Sequence, residues 1–174
     1  MDHKERAKHG KPAKHAKQAA KHGKQGSHYV RLLLMLALSF ASMYVLMYAM
    51  VDALENVLPN FNQLYMAGLM TAAMAIIELA LMGGMYPDKK LNTLILGSGA
   101  VALVAFWVLI RQQAAISDRQ FMKSMIPHHA AAILMCKRAP IRDREIESLC
   151  AGIVSSQQAE IDQMKAKLAE MEVR

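Results

Sequence analysis

The stretch MIPHHAAAILMC, residues 125–136, organises the reading of the whole chain. Two adjacent histidines, His128 and His129, follow a proline and stand among Met122, Met125, Met135 and Cys136. Pro127 suits the first turn of a new helix, with Ser124 or a neighbour as cap. Ala139 and Pro140 would end that helix, because proline has no N–H to continue the ladder. The stretch therefore predicts a short helix to about Arg138. No other segment gathers so many soft metal ligands so closely.

Downstream, residues 143–172 predict a long final helix. Its apolar stripe runs Ile146, Leu149, Ile153, Gln157, Glu160, Met164, Leu168 and Met171, a heptad-like seam. Two polar residues, Gln157 and Glu160, interrupt it. Buried polar groups need partners, and the histidines of the preceding helix are the evident ones. Just upstream, Ser117 and Gln120 have capping-box spacing, so a helix can start there. A third apolar segment running straight on is the other reading.

Further upstream the composition is that of a membrane protein. Apolar residues make up 54% of the chain, and they cluster in runs of about 20, the length that crosses a bilayer. Leu32 to Val51, Leu64 to Tyr86 and Leu91 to Ile110 are the three candidate spans. The formal charge of +7 lies wholly in residues 1–31, which hold nine Lys/Arg and two acids. The loop from Asp52 to Gln63 carries only acids, whereas Pro87 to Lys90 carries Lys89 and Lys90. The positive-inside rule then puts the tail and the Lys89–Lys90 loop in the cytoplasm and residues 111–174 outside. A bacterial-type inner (plasma) membrane is the expected location.

Residues 1–28 have no apolar periodicity, so disorder is expected there. His3, His9, His15, His22 and His28 make the tail either an accessory metal collector or a solvated polybasic segment on anionic lipid. Nucleic acid is not an expected partner, because no aromatic residue interleaves with the lysines. Within the spans, Met66, Met70, Met74, Glu78 and Met82 recur every four residues, and Met43, Met47 and Met50 make a shorter stripe. Such stripes serve either packing or a thioether contact for Cu(I). Glu78 inside a span calls for a partner or a function. Gly68, Gly83, Gly84, Gly97 and Gly99 permit close helix approach and self-association.

Adjacent residues on a helix point about 100° apart, so His128 and His129 do not readily share one ion. With Met125, Met135, Cys136, Glu160 and Met164 they form a soft donor set, which suits Cu(I) best, Zn(II) moderately and magnesium poorly. Catalytic signatures are absent, with no H-E-x-x-H, nucleophile elbow, P-loop or dinucleotide fingerprint, and no enzyme is expected. For a turn centred near Pro140, Cys136 and Cys150 are offset by about 9 Å along the helix axes. That disfavours a bridge and predicts free thiols or metal ligands.

Asp118 and Phe121, Met125 to His129, Ala132, Ile133 and Met135 resemble the signature of the DUF305 family. The likeness continues through Glu145, Ile146, Leu149, Ile153, Gln157 or Gln158, Glu160, Ile161 and Met164, over roughly residues 116–171. The spans, with MYVLMYAMVD and LYMAGLMTAAM, are similar to a membrane-anchored branch of that family. The resemblance implies a small ferritin-like bundle without a di-iron site, and some relatives are extracytoplasmic copper-binding proteins. Carried over, their suspected ligands are His128, His129, Met125, Met135 and Met164. A four-helix arrangement would then take a second copy.

The expectation is thus an all-α chain with a disordered tail (1–30), three transmembrane helices (31–111) and a small ferritin-like extracytoplasmic domain (112–174). Copper sequestration or delivery is the expected function, with the bilayer, a second copy and a copper-handling protein as partners. The alternative is a non-catalytic structural protein whose helical domain mediates oligomerisation or complex assembly. A third reading is a transport accessory working through Glu78 and the stripe of Met70 and Met74.

Overall fold

The elements follow from apolar runs and the signals at their ends. The structure, a computed structural model, describes residues 12–173. Among them the regular elements are all helical: α1 (Pro12–Leu46), α2 (Phe61–Met82), α3 (Lys89–Arg111), α4 (Asp118–Arg138) and α5 (Arg144–Val173). Three segments, His28–Met50, Phe61–Met85 and Lys89–Arg111, are long and apolar enough to cross a membrane. The expected spans fall on the same three helices.

Local chemistry sets the boundaries. Pro12 is the first described residue of α1. The helix then runs through Ala-, Lys- and Gln-rich sequence into the first apolar run, so residues 12–28 are helical where disorder was expected. These residue types are good helix formers. Residues 1–11, with His3 and His9, lie outside the described residues. Asn60 caps α2 by accepting from the Gln63 N–H, and Asp88 caps α3 by accepting from those of Lys90 and Leu91. A turn after α3, with Gln113 and Ala115 at φ of 48° and 58°, breaks the path into α4.

Close approach of α2 to α3 depends on two glycines. A Cβ on Gly68 would lie 2.5 Å from the Phe106 ring, and one on Gly99 3.1 Å from Ile76. Two of the five expected glycines thus serve packing within the chain, while Gly83, Gly84 and Gly97 face open space. At the end carrying the α2–α3 loop, Tyr29 Oη donates to Asn92 Oδ1 at 2.8 Å and Asn92 Nδ2 to the Tyr86 carbonyl at 2.8 Å.

At the opposite end, α4 and α5 form a hairpin. Ile126, Ala130 and Ile133 of α4 meet Ile161 of α5, all four fully buried, with Met122 and Leu168 beside them. Val51 and Leu58, from the α1–α2 loop, pack against this core. The acidic loop and the hairpin therefore share one end of the bundle.

Several sequence expectations need correction. Pro127 does not start a helix; it lies inside α4. A proline there leaves the carbonyl four residues back without its helical donor. That carbonyl is Lys123's, and Asn60 Nδ2 donates to it from the α1–α2 loop at 3.4 Å. Ser124 is accordingly not a cap: its hydroxyl donates to the Gln120 carbonyl at 2.9 Å, with Asn60 Oδ1 at 3.3 Å as the other acceptor for the same proton. Ser117 does precede α4, but its hydroxyl makes no capping bond. Gln120 instead accepts from the Phe61 N–H at 3.2 Å.

The α5 seam holds at Met164, Leu168 and Met171, which lie in or against the core, but fails at its start and centre. Ile146 and Leu149 are exposed, and Ile161 rather than Glu160 is the central buried residue. The first turns of α5 are held otherwise, by a Cys136–Cys150 disulfide with a Cα–Cα distance of 5.2 Å. Free thiols were expected because the turn was taken as symmetric about Pro140. In fact α4 ends at Arg138 and α5 starts at Arg144. The extended connection, at about 3.3 Å per residue, lets α5 begin beyond the end of α4 and brings Cys150 back level with Cys136.

Candidate functional site

The two histidines serve different cavities. Their ring centroids are 6.2 Å apart and the rings nearly perpendicular, as neighbours on one helix must be. His129 points into the hairpin and is only 6% exposed. His128 is exposed on the side of α4 that faces the spans.

His129 has both ring nitrogens engaged. Nδ1 lies 2.8 Å from the Met125 carbonyl and Nε2 2.6 Å from Glu160 Oε2. A carbonyl oxygen only accepts, so Nδ1 carries a proton. One further proton then lies between Nε2 and the carboxylate, whichever of the two holds it. The expected partnership of Glu160 with a histidine is therefore present. It opens onto a cavity of about 340 Å³ lined by Phe121, Met122, Met125, Gln163, Met164 and Lys167 in addition to the pair. The Lys167 ammonium is drawn aside by Glu170 Oε2 at 2.7 Å.

A histidine whose far nitrogen is fixed by a carbonyl is oriented as metal-binding histidines are. Among the described residues, no three of His, Cys, Asp and Glu gather to hold an ion. What the cavity adds to one imidazole and one carboxylate is thioether sulfur from Met122, Met125 and Met164. That set fits a soft ion far better than a hard one. No Ser, Thr or Cys lines this cavity, so it offers no side-chain hydroxyl or thiol nucleophile.

The other expected ligands are placed elsewhere. Met135 is 52% exposed and lines neither histidine's cavity. Cys136 is oxidised, which removes the thiolate a metal would need. Glu78, for which the sequence calls for a partner or a function, accepts from Tyr86 Oη at 3.3 Å. Met74 sits beside Met43 against α1, whereas Met70 is exposed. Of the tail histidines, His28 is half-buried. His15 and His22 lie on α1 where only the backbone is described.

Sequence reasoning placed Met122 beside the histidines but left it out of the donor set, although it lines the cavity on the same face as Met125. It also missed Asn60, whose bond to the Lys123 carbonyl spans 63 positions.

The sequence model of a family described as "Domain of unknown function (DUF305)" matches residues 51–168. Uncharacterized protein L153 of Acanthamoeba polyphaga mimivirus is 32% identical over 146 residues, 82% of this chain and 94% of that protein. No solved structure matches. The family match starts at Val51 rather than near 116, and Val51 is the first residue of the α1–α2 loop packed into the hairpin core. By a family match over well over half its length, and by this relative, the chain belongs to the DUF305 family.

Proposed function

We propose that the chain is a membrane-anchored copper-binding protein that sequesters or delivers Cu(I) and catalyses no reaction. The observation that carries this reading is His129, buried, oriented through Nδ1 by the Met125 carbonyl and aimed through Nε2 into a thioether-lined cavity. An ion binding there displaces the proton between His129 and Glu160 and takes Met125, Met164 or Met122 as soft ligands.

The proposed topology keeps the tail and the Lys89–Lys90 loop in the cytoplasm and the hairpin outside. The Cys136–Cys150 disulfide supports that side, since such bonds persist in oxidising compartments. A bacterial-type inner membrane is the proposed setting, and a copper-handling protein the proposed partner.

The test is a competition titration of the full chain in detergent micelles against a Cu(I) chelator, with Zn(II) and Ni(II) in parallel. Selective Cu(I) uptake that falls in His129→Gln/Met164→Leu is expected. No uptake above the micelle blank refutes the reading. One observation favours a second reading, an assembly module: Ile146 and Leu149 are exposed together on α5. A chain that takes up no metal, yet loses its oligomeric state in Leu149→Glu, would decide for that reading.

A further inference from the structure

The imidazole of His128 takes no part in the hairpin cavity, and the methionine stripes of the spans have no role in it either. The two meet. A second cavity, of about 390 Å³, lies between the spans and α4, and Met47, Met50, Met66, Met125 and His128 line it. We propose that these five residues form a second metal site, for a monovalent soft cation of the Cu(I) class, at the joint between the spanning bundle and the hairpin. The proposal rests on the soft-metal reading of the chain but uses a different cavity and different donors.

Four thioethers converge there from three elements: the helical turn Met47–Met50 after α1, the first turns of α2, and α4. Packing alone does not account for them. Where this end of the molecule needs filling, Ile126, Ile133 and Ile161 do it and are fully buried. Met50 and Met66 are instead 50% and 39% exposed, so their sulfurs are not sealed into a core. No acid lines the cavity. A neutral set of sulfur and imidazole donors favours a singly charged, weakly hydrated ion over zinc or a hard divalent cation.

The geometry is held rather than incidental. Asn60 donates to the carbonyl that Pro127 leaves free, Ser124 Oγ bonds Asn60 Oδ1, and Asn62 Nδ2 donates to Ser124 Oγ at 3.2 Å. These bonds pin α4 on the start of α2. His128, the residue after Pro127, lines the same cavity as Met66.

Met125 lines both cavities. An ion held at the joint by Met125 and its neighbours can gain a donor on the hairpin side before losing one on the span side. The transfer exchanges ligands only; no electron moves, and the copper stays Cu(I). The joint site would be the step at which an ion passes between the spans and the hairpin.

The test uses the full chain in micelles, with the tail histidines changed to Gln, titrated with Cu(I) and with Ag(I) as its redox-stable analogue. The wild-type site residues should take up two equivalents. Met47→Leu/Met66→Leu, which keeps the apolar volume, should take up one, and so should His128→Gln, a change at an exposed side chain. His129→Gln/Met164→Leu should take up the other one alone. Two equivalents in either joint variant overturn the proposal. So does a single wild-type equivalent that vanishes in His129→Gln/Met164→Leu, and that result leaves the hairpin reading standing. No uptake by the wild type overturns both.

Discussion

Replacing Asn60 by Ala should cost much less stability when Pro127 is also replaced by Ala than when it is not. Asn60 caps α2 through the Gln63 N–H at 2.9 Å, and its Nδ2 donates to the Leu58 carbonyl at 2.9 Å and to the Lys123 carbonyl at 3.4 Å. Losing the cap costs about 1 kcal/mol. Leaving the carbonyl unpaired costs about 1 kcal/mol more, the low end of the usual range, because Lys123 is only half-buried. In the Pro127→Ala background the alanine brings a backbone N–H that reaches that carbonyl along the helix, so only the cap and the bond to the Leu58 carbonyl are lost, as they are in either background. The two substitutions should therefore couple by about 1 kcal/mol, or roughly a fivefold change in local opening. Hydrogen exchange of the full chain in micelles reads it, at the amides of α4 around the proline. The cycle cancels what Pro127→Ala does by itself, through lost ring packing and gained helix propensity. Additivity within about 0.3 kcal/mol would refute the claim that Asn60 replaces the missing donor.

Other outcomes follow from the same geometry. Binding of Ag(I) at the hairpin cavity should release about one proton per ion, and Glu160→Gln should abolish the release, because an amide leaves His129 no shared proton to lose; titration in weak buffer decides it. Ala115→Gly should raise the stability of the chain by about 0.5–1 kcal/mol in thermal unfolding, since Ala115 has a φ of 58° that costs a side chain more than it costs glycine. A Cys136→Ser/Cys150→Ser pair, which opens a loop of 14-residue separation, should weaken the hairpin by up to about 3 kcal/mol, seen as faster exchange in the first turns of α5. Ile161→Ala should cost about 2–5 kcal/mol, whereas Met135→Ala, at an exposed site, should stay within about 0.5 kcal/mol; comparable losses would mean that the core is misassigned.

The helices were legible because their signals are local. Apolar runs of bilayer length, Asn60 and Asp88 as caps, and Pro140 as a breaker each act within a few residues. The errors came where a distant group outvoted a local rule. Proline prefers the first turn of a helix, and Pro127 would have taken it had Asn60 not supplied the donor its ring removes. The seam of α5 was drawn through Glu160, but Ile161 fills the core, and the exposed first turns are tied to α4 by the Cys136–Cys150 disulfide. The half of the site made by His129 and Glu160 could be read from the seam, as both lie on facing helices of one hairpin. The half made by His128 could not, since Met47, Met50 and Met66 stand far back in the chain and share a cavity with it only through the packing of distant helices.

Adjacent histidines are a poor way to hold one ion and a good way to address two cavities. One step along α4 turns the second imidazole by about 100°, and the two rings divide accordingly between the hairpin and the spans. That division needs α4 to sit at a fixed height and rotation on the bundle, which ordinary packing of exposed faces does not guarantee. Pro127 supplies the constraint by being a defect. It frees a carbonyl in mid-helix, and that carbonyl can be satisfied only by a donor from outside the helix, so α4 is best bonded in one position on the α1–α2 loop. The residue that breaks the helical ladder is thus the one that registers the ladder against its neighbour. The two histidines next in sequence inherit that register.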